Sequence, residues 1–233
     1  MPGKHVADTT KTRVPVCLCL DVSGSVSKYM DTLNAHVRNI YDSIQRLSSG
    51  SVAFDIASFK FGGMFSSKRH DVVMEEFSEL EEGDAPEILQ ADEYTPMGKA
   101  VKNAYQLLEK YKKTIRDSNM HYFQPVFIII SDGRENSTDQ DREWLSTYQK
   151  KIRDEASDEK MVAISIGIGS VDEKIMKGFL PQGQEYISGT DINFDEFIRL
   201  LVSTVVAKAK SIPQSKVEEY MRGMNRAGRK NLK

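Results

Sequence analysis

Residues 14–20, VPVCLCL, form a nearly continuous apolar run, the pattern of a strand buried on both faces of a parallel sheet. From 27 to 47 the apolar spacing becomes helical, through Met30, Leu33, Val37, Ile40, Ile44 and Leu47, with Ser27 as the expected N-cap and Gly50 as the stop. A second strand is predicted over 52–61. Phe61-Gly62-Gly63 then opens a loop to His70, and 72–77 reads as a short hairpin strand at the sheet edge. An acidic stretch, 79–84, leads through Pro86 to Thr95-Pro96. There a second long helix begins, over 97–116, with Ala100, Val101, Ala104, Leu107, Leu108 and Tyr111 on one face.

The second half continues the alternation. Strands are expected over 125–130 and 161–168 and briefly around Tyr186-Ile187. Helices are expected over 141–155 (Trp144, Leu145, Tyr148, Ile152), 172–177 and 194–208 (Phe197, Ile198, Leu201, Val202, Val205). Strands and helices in this order predict an α/β fold: Rossmann-like, doubly wound, with a mostly parallel central sheet, one antiparallel edge strand and helices on both faces. Residues 14–210 would be one domain, between a polar segment, 1–13, and a basic tail, 211–233.

Composition changes little in this picture. With 39% hydrophobic and 28% charged residues the chain reads as an ordinary globular protein, and a formal charge of -2 gives no global attraction to nucleic acid or an anionic membrane. Residues 1–13 lack the apolar stretch of a signal peptide, and no run of about 18 apolar residues could span a bilayer. Cys17 and Cys19 stand two apart on one strand face, roughly 6–7 Å from each other and too far for an easy disulfide, so buried thiols are expected. A cytoplasmic location is the expectation. The tail combines Lys216, Arg222, Arg226, Arg229, Lys230 and Lys233 with Val217, Tyr220, Met221 and Met224 at helical spacing. A solvated helix that packs on the domain and then frays is the first reading; a helix touching a partner or RNA is the other.

The chemistry lies at the strand ends. In open parallel sheets, ligands bind at the carboxyl edge, where strand order reverses. Three segments would deliver oxygen-bearing side chains there: Asp21-Val22-Ser23-Gly24-Ser25, Thr95-Pro96-Met97-Gly98 and Ser131-Asp132-Gly133. Each has an ordinary structural explanation by itself. Asp21, Ser23 and Ser25 could cap a helix, Thr95 before Pro96 is a standard N-cap, and Asp-Gly is a common turn. One cap uses one side chain, however, and the three segments together make a hard-oxygen set suited to Mg²⁺ or Mn²⁺.

Asp21-x-Ser23-x-Ser25, the later Thr95, and Asp132-Gly133 after an apolar strand resemble the metal-ion-dependent adhesion site (MIDAS) of von Willebrand factor A (vWA) domains. The resemblance extends over residues 14–208 and includes Ile166-Gly167-Ile168-Gly169, which is similar to that family's late strand end. It implies that Ser23 and Ser25 ligate the metal directly, and that Thr95 does so directly or through water. Asp21 and Asp132 would act through bound waters, and a partner protein's Asp or Glu would take the open position. Gly24 and Gly133 would ease the turns beside the site. Among vWA proteins the chain is most similar to the compact bacterial TerY-like group. Two departures stand out: Glu93-Tyr94 replace glycines that often precede the threonine, and Ser131 stands where threonine is common. The likeness implies a partner from a kinase- or phosphatase-containing stress or defence system.

Other features read as structural. The polar run from Arg134 to Asp141, with Asp139 and Asp141, lacks EF-hand spacing and is expected to be a solvated loop, with Arg134 and Glu135 beside the site as partner contacts. His5, His36, His70 and His121 show no paired metal spacing. Gly62-Gly63 and Phe65 suggest a mobile loop. The rival function is a metal-dependent phosphohydrolase with Asp21 as nucleophile. Aspartyl phosphatases of the haloacid dehalogenase type carry a second acidic residue where this chain has Ser23. Ser25 is not in a nucleophile elbow, and no P-loop is present. A non-catalytic binding module is therefore the leading expectation; a scaffold with a vestigial metal site, using its basic tail, is the third.

Overall fold

The structure, a computed structural model, describes residues 9–48, 51–62, 72–81, 83–88, 95–134 and 138–189. The expected helix over 194–208, the basic tail, His5, His70, Gly63, Phe65, Glu93-Tyr94 and Glu135 lie outside them.

Six strands form one sheet: β1 (Thr12–Asp21), β2 (Val52–Phe61), β3 (Val72–Glu79), β4 (Val126–Ser131), β5 (Val162–Gly167) and β6 (Ile187–Ser188). Their order is β3-β2-β1-β4-β5-β6, parallel throughout except for β3, which runs antiparallel to β2 at the edge. The helices are α1 (Met30–Leu47), α2 (Met97–Asp117), α3 (Asp139–Ser157) and α4 (Glu173–Lys177). The fold is thus the expected α/β one. Chain order reverses between β1 and β4: β2 lies on one side of β1, and the later strands lie on the other. A crevice for ligand is expected at the carboxyl ends of that strand pair.

Alternation along the strands sorts the core into two layers. Val14, Val16, Leu18 and Leu20 of β1 pack with Phe54 of β2 and Ile128 and Ile130 of β4 beneath Leu33, Val37, Ile40 and Ile44 of α1. Cys17, Cys19, Phe59, Phe127 and Ile129 face the other way, onto Ala100, Val101, Ala104 and Leu108 of α2 and Leu145 and Ile152 of α3. Burial on both faces is why β1 and β4 read as unbroken apolar runs. Both cysteines are free and buried, and burial raises both thiol pKa values, so they are packing groups.

Two local expectations differ from what forms. The segment after β1 is not the start of α1: Gly24–Tyr29 is a 3₁₀ turn with Ser23 at its N-cap position, and α1 begins at Met30, so Ser27 caps nothing. The tighter turn keeps the DxSxS loop close to the strand end before α1 leaves it. Gly24 opens this turn without adopting positive φ, so no left-handed backbone explains it. β1, for its part, starts two residues earlier than the apolar run, taking in Thr12 and Arg13.

Candidate metal centre

Asp21 is the last residue of β1 and is 1% exposed. In register, Leu20 faces Ile130 of β4, so Asp21 lies beside Ser131, with Asp132 one residue beyond. The Asp21 carboxylate accepts from the Ser23 backbone N–H at 2.9 Å and from Ser131 Oγ at 2.5 Å. Ser131 Oγ in turn accepts from the Gly133 N–H at 2.9 Å. Asp132, 2% exposed, accepts from the Arg134 N–H at 2.9 Å, and its carbonyl accepts from the Asp172 N–H at 2.7 Å, tying the β4 loop to the start of α4. Gly133 takes φ +74°, the left-handed region that a side chain would strain, as the turn after Asp132 requires.

Ser23 is buried and Ser25 exposed; their hydroxyl oxygens lie 3.0 Å apart. Adjacent corners of an octahedron around Mg²⁺, with ligands at about 2.0–2.1 Å, are separated by about 3 Å, so the pair fits a shared hard cation. Thr95, also buried, precedes α2. α2 runs down the sheet face: Tyr111 hydrogen-bonds Asp55 near the start of β2, and the Ala104 carbonyl accepts from Cys17 Sγ in mid-β1. From Ala104 back to Met97 is about 10 Å of helix, and from Cys17 to Asp21 about 13 Å of strand. Thr95, two residues before Met97, therefore stands level with Asp21. Asp21, Ser23, Ser25 and Asp132 lie at the carboxyl edge, and this count of helix rise brings Thr95 to the same level.

The charge balance of this edge is one-sided. Among the described residues neither Asp21 nor Asp132 has an ion pair with Lys or Arg, and every donor to them is a hydroxyl or a backbone amide. Burial pushes the Asp21 carboxyl up to about 6, against the hydrogen bonds from Ser131 and Ser23, and the nearby Asp132 charge adds to the rise. The described residues contain no cluster of three or more His, Cys, Asp or Glu able to hold a metal, so any ion here would rely on hydroxyl and carboxylate oxygen together.

The run toward Asp141 corrects the sequence expectation. Asp139 is solvated, but helix α3 already starts there, capped by Thr138, whose Oγ1 accepts from the Asp141 N–H. Asp141 itself is 4% exposed. Its Oδ2 accepts from the Gly98 N–H at 2.8 Å and its Oδ1 from the Lys99 N–H at 2.6 Å. The N-cap position of α2 falls on Pro96, which brings no side-chain hydrogen bond, and α3 supplies a side-chain acceptor for this helix end. Thr138-x-x-Asp141 is a legible capping signature; the destination of its carboxylate is not. Arg134 is exposed at the rim, with Nε donating to the Ser170 carbonyl at 3.1 Å.

Comparison with known proteins supports the fold. The structure is similar to the pilus adhesin SpaC from Lactobacillus rhamnosus GG in its open conformation, at 13% identity and a TM-score of 0.55, covering 90% of this chain but 30% of that one. Manganese-loaded Plasmodium vivax TRAP protein aligns at 16% identity and TM-score 0.49, over 83% of this chain and 73% of that one. A von Willebrand factor type A protein from Catenulispora acidiphila aligns at 17% identity and TM-score 0.48, over 72% and 36% respectively. This chain therefore spans about a third of SpaC and of the Catenulispora protein. No protein-family model matches the sequence, and no curated protein matches it.

Proposed function

We propose that this chain is a non-catalytic binding module of the vWA type, recognising an acidic residue of a partner protein through a divalent cation, Mg²⁺ or Mn²⁺. One observation carries the reading: two buried carboxylates, Asp21 and Asp132, meet beside hydroxyls at the switch point of the sheet, and no described residue brings them a cation. Ser23, Ser25 and Thr95 would hold the ion directly or through water, while Asp21 and Asp132 would orient its waters and balance its charge. A cation so held supplies an open coordination position for a carboxylate. The protein does the rest: Ser131 and the Ser23 amide fix Asp21, and the Gly133 turn and Arg134 amide fix Asp132. The partner is proposed to come from a kinase- or phosphatase-containing stress or defence system in the cytoplasm, which rests on the likeness to TerY-like sequences alone.

The test is thermal unfolding with excess Mg²⁺ and with EDTA, for wild type and Asp132→Ala. At about 100 times its Kd the ion should stabilise wild type by about 2.7 kcal/mol and leave the variant unchanged. Equal curves for wild type in Mg²⁺ and EDTA would sink the reading.

A further inference from the structure

We propose that Asp141 is a positioning residue for the cation site: by capping α2 from α3, it sets where Thr95 stands. The proposal rests on the metal-site reading above and deepens it.

The first turn of a helix leaves backbone N–H groups without partners inside the helix. In α2 those of Gly98 and Lys99 both go to the Asp141 carboxylate, at 2.8 and 2.6 Å, across 43 and 42 residues of chain. A carboxylate at this end also meets the positive pole of the helix. The contact is close by construction. A Cβ on Gly98 would lie 1.9 Å from the Asp141 carbonyl oxygen and 2.9 Å from the Leu145 nitrogen, so only glycine lets α3 come this near. Asp141 is itself held, its N–H donating to the Thr138 carbonyl at 3.0 Å and to Thr138 Oγ1 at 3.2 Å.

Thr95 lies directly upstream of this clamp. Its carbonyl accepts from the Met97 N–H at 2.9 Å, and the Pro96 carbonyl accepts from the Ala100 N–H at 3.1 Å, so its backbone continues the turn that Asp141 holds. Asp132 lies nine residues before Asp141 on the same stretch of chain. One segment thus carries a carboxylate of the site at one end and, at the other, the residue that clamps the first turn of α2 just after Thr95. Any displacement of α3 would move Thr95 relative to Asp132.

The experiment is isothermal titration with Mg²⁺ alone, well below the unfolding temperature, for wild type, Asp141→Asn, Thr95→Ala and the double variant. Asn keeps the size of Asp but offers one acceptor for two N–H donors. Asp141→Asn should weaken Mg²⁺ binding about tenfold or more, and should weaken it no further in the Thr95→Ala background. A folded Asp141→Asn protein with wild-type Kd overturns the proposal and leaves the metal site standing, because a cap serving stability alone lowers the unfolding temperature without changing affinity. Additive effects overturn it too, since Asp141 would then act by charge rather than through Thr95. Wild type failing to bind Mg²⁺ takes down the metal reading and the proposal with it. Amide hydrogen exchange in wild type needs no variant to fold: Gly98 and Lys99 should gain protection when Mg²⁺ is added, and unchanged exchange counts against the proposal.

Discussion

The two edges of the sheet bury carboxylates in opposite ways. Near the amino edge, Asp55 of β2 meets Arg13 of β1, whose Nε donates at 2.7 Å and whose NH2 group pairs with the other carboxylate oxygen. The same guanidinium reaches Glu79 of β3 at 2.9 Å, and Lys11 joins Glu79 at 2.7 Å. Arg13 is 1% exposed, and its acidic partners outweigh burial to hold its pKa above the ordinary value. At the carboxyl edge Asp21 and Asp132 are buried just as deeply, yet among the described residues only hydroxyls and amides answer them. Where the chain supplies its own cation, a buried carboxylate is a closed structural joint between β1, β2 and β3. Where it supplies none, the carboxylate is held by neutral donors alone among the described residues. Burial of an acid is therefore no signal of function until its partners are counted.

Removing one side of the closed joint should give the largest effect. Arg13→Met leaves the Asp55 charge buried with no cation beside it and only the Tyr111 hydrogen bond, and should lower unfolding free energy by about 3–5 kcal/mol, equally with and without Mg²⁺. Denaturant titration checks this, and Arg13→Met combined with Asp55→Leu should recover part of the loss. A large dependence on Mg²⁺ would blur the contrast between the edges.

The open edge should respond in the other direction. The raised Asp21 pKa means that the folded protein holds a proton more tightly there than the unfolded chain does. Without divalent cation, stability should therefore fall as pH rises from about 4 through about 6, by an amount on the order of 3 kcal/mol. Asp21→Asn should lack this slope and, at about pH 7 in EDTA, be at least as stable as wild type. An Asp21→Asn protein much less stable than wild type in EDTA would mean that the carboxylate is already neutralised.

A smaller effect concerns the contact between α1 and the chain just after β6. His36 of α1 contacts the Gly189 carbonyl at 2.6 Å beyond β6, and burial lowers its pKa against the help of that bond. Its contribution is full above the ordinary imidazole value, about 6.5, and is lost as pH falls below it, because the unfolded chain takes up the proton first. Wild type should lose up to about 1 kcal/mol more than His36→Gln on going from about pH 7 to about pH 5.5 in EDTA, measured by thermal unfolding. Equal losses would place the contact among neutral packing interactions.

Much of this architecture is legible in the amino-acid pattern. β2 forms over the residues expected of it, and α2, β4 and β5 match their predicted spans to within a residue or two, because burial on one or both faces imprints a period that one chain displays. Asp21, Ser23, Ser25 and Asp132 are legible for a related reason: each stands at a strand end or within four residues of one, and the strand's direction places that end. The 3₁₀ turn after β1 is not, since Met30 and Leu33 keep helical spacing whether or not the preceding turn tightens. Arg13 looks like the end of a polar segment, because its partner Asp55 is 42 residues away.

Asp141 marks the boundary most clearly. Local chain chemistry, Thr138 followed three residues later by an acid, determined that a helix starts there. Helix α2, Gly98 and the Thr95 loop are equally readable as separate pieces. Only the tertiary structure decided that the carboxylate caps a different helix, because which helix end meets which side chain depends on how α2 and α3 pack, with Gly98 between them. Sequence determined the parts with a local period or a fixed strand end; packing across the chain decided which acids are answered by the protein's own charges and which are not.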